Sequence, residues 1–119
     1  MNLPNYTDAL DWHHCENVRE ASEQLSKITR LLNTVIMITK RAEMELLLRI
    51  AEYGEEINDK GSKDNKLIKL LTLDRGNPET KERYITFKEG KSAISQLRNK
   101  RDAIHEHLMA LKKIEGYRP

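Results

Sequence analysis

The sequence predicts an all-α protein: an antiparallel hairpin of two long helices with a short helical elbow, packed like a coiled coil and assembled into oligomers. Three observations predict it. From Asn5 to Tyr53 there is neither glycine nor proline. Within that stretch apolar residues alternate three and four apart, at Val18, Ala21, Leu25, Ile28, Leu32, Val35, then Ala42, Leu46 and Tyr53. This spacing lays a single stripe along a helix. A matching stripe follows near the other end, at Phe87, Gly90, Ile94, Leu97, Arg101, Ile104, Leu108 and Leu111.

Each element has its own signals. Thr7 is a candidate N-cap with Asp8 in the first turn, where a carboxylate meets the positive end of the helix dipole. The first helix is expected over residues 8–57, with Gly54 or Gly61 ending it. Asn33 and Thr34 are weak helix formers, yet the stripe keeps its phase across them. Residues 58–65 read as loop by composition, Lys66 to Leu73 as a short amphipathic helix, and Asp74-Arg75-Gly76-Asn77-Pro78 as a turn. The last helix is expected over residues 84–115. Tyr84-Ile85-Thr86-Phe87 has strand propensity but no pairing strand, so it is drawn into that helix. Lys112 and Lys113 suit the last turn, and Gly116 suits the position just beyond the cap. Residues 1–119 form one helical domain.

The apolar surface widens between Leu31 and Ala51. Leu31, Ile36, Met37, Ile38, Met44, Leu47, Leu48 and Ile50 all lie off the main stripe. A helix with one neighbour has no use for so broad a face. Leu31, Ile36, Met37, Met44, Leu47, Leu48 and Ile50 are therefore the expected interaction surface. The apolar share of 38% against a charged share of 34% suits thin helices better than a globular core. Burial contributes roughly 25 cal/mol per Å² and ordering costs about 1–2 kcal/mol per residue, so a lone two-helix hairpin is marginal. A second copy of the chain and another protein are the expected partners. The expected role is that of a non-catalytic interaction or assembly module, such as a small accessory or inhibitory protein.

The net charge of +2 is too small to argue for nucleic acid. Its distribution is uneven: residues 1–59 hold six Lys/Arg and eleven Asp/Glu, and residues 60–119 hold fifteen and eight. Attraction between the two halves of the hairpin is the simpler reading. An oligomeric nucleic-acid-binding accessory is the alternative, with Lys91, Arg98, Lys100, Arg101, Lys112 and Lys113 as contacts to phosphate. Cys15 is the single cysteine, which rules out an intrachain disulfide and fits a reducing compartment. No signal-peptide pattern opens the chain, and its most apolar window is far short of the ~20 residues that cross a bilayer. A cytoplasmic location without membrane contact is expected.

Few residues combine into chemistry. Arg98-Asn99 followed by His105, with Arg101-Asp102 followed by His107, is similar to the signature of HEPN-type ribonucleases. That resemblance implies a small helical bundle in which His and Arg act on an RNA phosphodiester, and it covers about ten residues. It departs from the family in that little chain follows His107, and an ordinary charged helix surface is the preferred reading. Glu43, Glu45, Glu52, Glu55, Glu56 and Asp59 form an acidic group. Helical pyrophosphohydrolases bind Mg²⁺ with such carboxylates on two facing helices, but the facing helix here offers mainly Lys and Arg. His13-His14-Cys15 and His105-x-His107 point in diverging directions on helices, so they make no zinc site by themselves. No catalytic residue, metal ligand or cofactor is therefore assigned. Arg49 and Arg101 fall on the stripes, where a guanidinium needs a carboxylate, water, or a route to solvent along its stem.

Overall fold

The computed structural model describes residues 3–6, 15–57 and 61–116. It is an all-α antiparallel hairpin. Helix α1 (Val18–Tyr53) ends in a single 3₁₀ turn (Gly54–Glu56), α2 (Lys63–Leu73) forms the elbow, and α3 (Pro78–Ile114) returns along α1. The principal extents are 63 × 26 × 17 Å.

Local chemistry sets each boundary. The side chain of Asn17 accepts the Glu20 N–H at 2.9 Å, and the Glu20 carboxylate accepts the Glu16 N–H at 2.9 Å. These two bonds, a variant of the capping box in which the Glu reaches the N–H of the residue before the cap, start α1 at Val18 rather than near Asp8. Residues 15–17 are not helical, so the expected continuous helix over 8–57 is corrected; the Thr7–Asp8 cap lies outside the described residues. Gly54, at φ 60°, turns its N–H back onto the carbonyls of Ile50 and Ala51. A side chain is poorly tolerated in that conformation. Ser62 caps α2, which starts at Lys63, three residues ahead of the expected Lys66. Asn77 caps α3, with Pro78 at the first helical position where its missing N–H costs nothing. The last helix therefore begins six residues before Tyr84. It ends as expected, with Glu115 as cap and Gly116 at φ 67°.

The two stripes meet. Ala21, Ile28, Leu32, Val35, Ala42 and Leu46 of α1 are buried, as are Phe87, Leu97, Ile104, Leu108 and Leu111 of α3. They form three clusters along the hairpin. Ala42, Leu46, Ile50, Ile57, Leu67, Leu70 and Phe87 pack at the elbow. Ile28, Leu32, Val35, Ala93, Leu97 and Ile104 fill the middle. Cys15, Ala21, Leu108 and Leu111 close the far end. Thr39 and Gly90 lie between the first two clusters at a close approach of the helices: a Cβ on Gly90 would lie 2.9 Å from the Cβ of Thr39. Leu3 and Tyr6 pack on the middle cluster, and His107 Nε2 lies 2.8 Å from the carbonyl of Cys15. The start of the chain thus touches α3 at two levels. At the far end the Val18 N–H donates to the carboxylate of Glu115 at 2.9 Å, which joins the beginning of α1 to the end of α3.

Candidate functional site

The inner face of α1 is consumed by α3 and α2. Its outer face is open. Met37 is 72% exposed, Met44 64% and Leu48 60%. At 100° per residue these three positions fall within about 40° of one another and about 180° from the buried Leu46. They make a second apolar stripe on the side of α1 that α3 does not touch. Leu47, 40% exposed, lies at its edge towards α2. Isolated exposed apolar residues are ordinary on protein surfaces, and Ile68, Leu73, Ile85, Met109 and Ile114 are of that scattered kind. Three large side chains in one row on one helix are not.

The other residues expected on this surface have different fates. Ile50, only 9% exposed, belongs to the elbow cluster and not to an outer surface, because α2 packs over it. Leu31 and Ile36 are half-buried against the middle cluster, so they flank the hairpin seam rather than extend the outer stripe. The open surface consists of Met37, Met44, Leu48 and the edge residue Leu47.

A polar site sits at the elbow, centred on Asp74. This residue is 8% exposed and accepts hydrogen bonds from Arg49 Nε at 3.0 Å, Arg49 Nη2 at 2.8 Å, Tyr53 Oη at 2.7 Å, Asn77 Nδ2 at 3.4 Å, and the Thr80 hydroxyl. The Arg49 fork, followed by Thr80 and Tyr53, holds the Asp74 carboxyl far below the usual carboxylate range. Their own hydrogen bonds to Asp74 raise Arg49 and Tyr53 in turn. Arg49 is the stripe arginine that the sequence singled out, and Asp74 is the carboxylate it required. The signal for Asp74 was its place in a turn just before a capped helix. Arg101 differs: it stays half-exposed beside its neighbour Asp102 at 3.5 Å.

The charged candidates scatter. Glu43 pairs with Lys63 at 3.3 Å, Glu45 with Arg83 and with Arg41, and Glu52 with Arg49. Asp59 lies outside the described residues. Among the described residues no group of three or more His, Cys, Asp and Glu side chains could hold a metal ion. Lys91, Arg98, His105 and Lys112 stand seven residues apart on α3, so they share one flank with the nearby Arg101; Lys100 and Lys113 face other directions. Arg98 and His105 share that flank, whereas Arg101 and His107 diverge by about 120°. His13 and His14 lie outside the described residues. A groove of about 680 Å³ opens beside the turn, with Leu71, Pro78, Tyr84 and Ile85 as its apolar wall. The carboxylate at its edge is Asp74, whose oxygens already hold the partners named above. No helix among the described residues is long and apolar enough to cross a membrane.

No protein-family model matches the chain, and neither does any curated protein or solved structure.

Proposed function

We propose that this protein is a helical interaction module that binds protein chains through the outer face of α1 and performs no chemistry of its own. The observation that carries this reading is the row of Met37, Met44 and Leu48, exposed on the face of α1 opposite its intramolecular seam. Burying an apolar side chain contributes about 1.5–3 kcal/mol, and exposed apolar side chains gathered on one face favour association. Methionine suits such a face, because its unbranched side chain adapts to the surface it meets. The polar groups at the elbow support the reading from the other side. Asp74, Arg49, Tyr53 and Thr80 are spent on one another, so they act as a clamp.

The test is a comparison of wild type with Leu48→Glu. Light scattering of the wild type is expected to give at least twice 13.9 kDa, or a stable complex with a purified binding protein. Leu48→Glu is expected to abolish that association while circular dichroism shows unchanged helix content. Association that survives the charge would overturn the reading.

A further inference from the structure

The two halves of the sequence carry opposite excess charge, and the fold brings them together near the elbow, where Glu43 meets Lys63 and Glu45 meets Arg83. Farther along α3 the positive charge is left over. Lys91, Arg98 and His105 are exposed, and Lys91 and Arg98 form no ion pair among the described residues. With Lys112 they make a straight row, stepped by about 10.5 Å and about 31 Å long. Within about 60° of this row α3 also carries Lys88, Arg101 and one acid, Asp102. Asp102 faces Arg101 at 3.5 Å.

The helix across the seam does not neutralise the row. Ser22, Ser26 and Thr29 of α1 line a shallow groove with Leu25 and Leu108, and Arg30 stands at its rim. Glu43 and Glu23, which border this flank on α1, each face a cation, Lys63 at 3.3 Å and Arg19 at 3.6 Å. Lys63 and Lys91 both lie over the Phe87 ring, at 5.8 and 5.3 Å from its centre, so α2 extends the basic flank at the elbow. Leu3 packs on the far side of α3, against Thr86 and Glu89.

We infer that this flank is a second binding surface, which lies along the phosphate backbone of a nucleic-acid duplex without reading its bases. It is separate from the outer face of α1 and stands whether or not that face binds protein. Exposed ion pairs contribute little each, and the flank offers a protein few apolar anchors: Leu25, Ile36 and Ile94 are half-buried in the seam, and Met109 lies at the edge. A duplex needs no such anchor, because each phosphate neutralised releases condensed counterions and the gain accumulates along the row. Serine and threonine hydroxyls add donors to phosphate. At 3.4 Å per base pair the row spans about nine base pairs, a length over which a duplex is also straight. The hairpin is 17 Å across its thinnest dimension, wider than the ~12 Å major groove, so it rests on the backbone. A single strand would need exposed aromatic rings to stack on, and the ring at the end of the row, Tyr84, lies beneath Lys88 at 5.7 Å.

The experiment titrates the full chain into a fluorescent DNA duplex of about 20 base pairs and mixed sequence, and follows anisotropy over roughly 50–200 mM salt. The wild type is expected to bind with a log–log salt slope of about −3 to −4, from Lys91, Arg98, Arg101 and Lys112 at about 0.9 each. Lys91→Gln with Arg98→Gln is expected to weaken binding about tenfold or more and to bring the slope about 2 nearer zero. Lys100→Gln with Lys113→Gln removes the same charge from other faces of α3 and is expected to change affinity less than about threefold. Circular dichroism checks the helix content of each variant. Arg98→Gln alone keeps the Lys91 contact with Phe87 and is expected to bring the slope about 1 nearer zero, which holds the test open if the paired variant loses helix. Equal losses in the two paired variants overturn the inference, since net charge would then hold the duplex. A wild type that leaves the duplex free at the lowest salt overturns it as well. So does tighter binding to a single strand than to the duplex, or displacement of the duplex by polyglutamate at equal charge concentration.

Discussion

Asp74 accepts hydrogen bonds from Arg49 and Tyr53 of α1, from Asn77 at the cap of α3, and from Thr80 within α3. One carboxylate therefore fixes where the returning helix starts relative to the outgoing one. Its value depends on its charge, which the Arg49 fork maintains to unusually low pH. An unfolded aspartate titrates near ~3.9, so the stabilisation is complete above that pH. It drains away as pH falls below it towards the folded value, because the unfolded chain then takes up the proton first. Asp74→Asn is expected to lower unfolding free energy at pH 7 by about 2–3 kcal/mol, since it leaves a buried network half-satisfied. Urea titrations at pH 7 and pH 3 are expected to show the gap between wild type and variant narrowing at the lower pH. An equal gap at both would mean that charge is not what Asp74 supplies.

At the scale of the helix, α1 reads in two directions at once. Its inner stripe was legible because Ala, Ile, Leu and Val recur at the helical spacing. Its outer row was legible for Met37, Met44 and Leu48 because they are surplus to that stripe. Ile50 was misread because only the tertiary position of α2 covers it. Thr39 was passed over, a polar residue in the gap between Val35 and Ala42, yet it is buried with its hydroxyl donating to the Val35 carbonyl at 2.7 Å. That internal bond removes the cost of burying the hydroxyl and leaves a small side chain for Gly90 to approach. Gly90→Ala tests the contact. Alanine favours a helix by about 1 kcal/mol over glycine, but overpacking costs roughly 1–3 kcal/mol, and here the added Cβ would meet Thr39. The expected net effect is destabilisation by about 1 kcal/mol, made smaller in a Thr39→Ala background. Stabilisation by Gly90→Ala alone would show that the helices yield at this point.

As a whole the molecule is a rod. Its radius of gyration is 19.4 Å, against the roughly 13–14 Å of a compact domain of this length. The hairpin was legible from two stripes and one turn, each a local pattern. The contact of Leu3 and Tyr6 with the middle cluster was not, since nothing in so short an irregular segment says which face it will meet. The antiparallel arrangement also orders the chain in time. Arg49 and Asp74 are 25 residues apart, while Cys15 and His107 are 92 apart and Val18 and Glu115 are 97 apart. Closing a longer loop costs more entropy, so the hairpin is expected to zip from the elbow and fray from the opposite end. Amide hydrogen exchange is expected to be slowest around Leu46 and Phe87 and progressively faster towards Ala21 and Leu111; uniform protection along α1 would contradict this. The outer row, reaching from Met37 to Leu48, sits on the half of α1 that is expected to form early and open late. A chain still closing its far end would already hold this face in its final form.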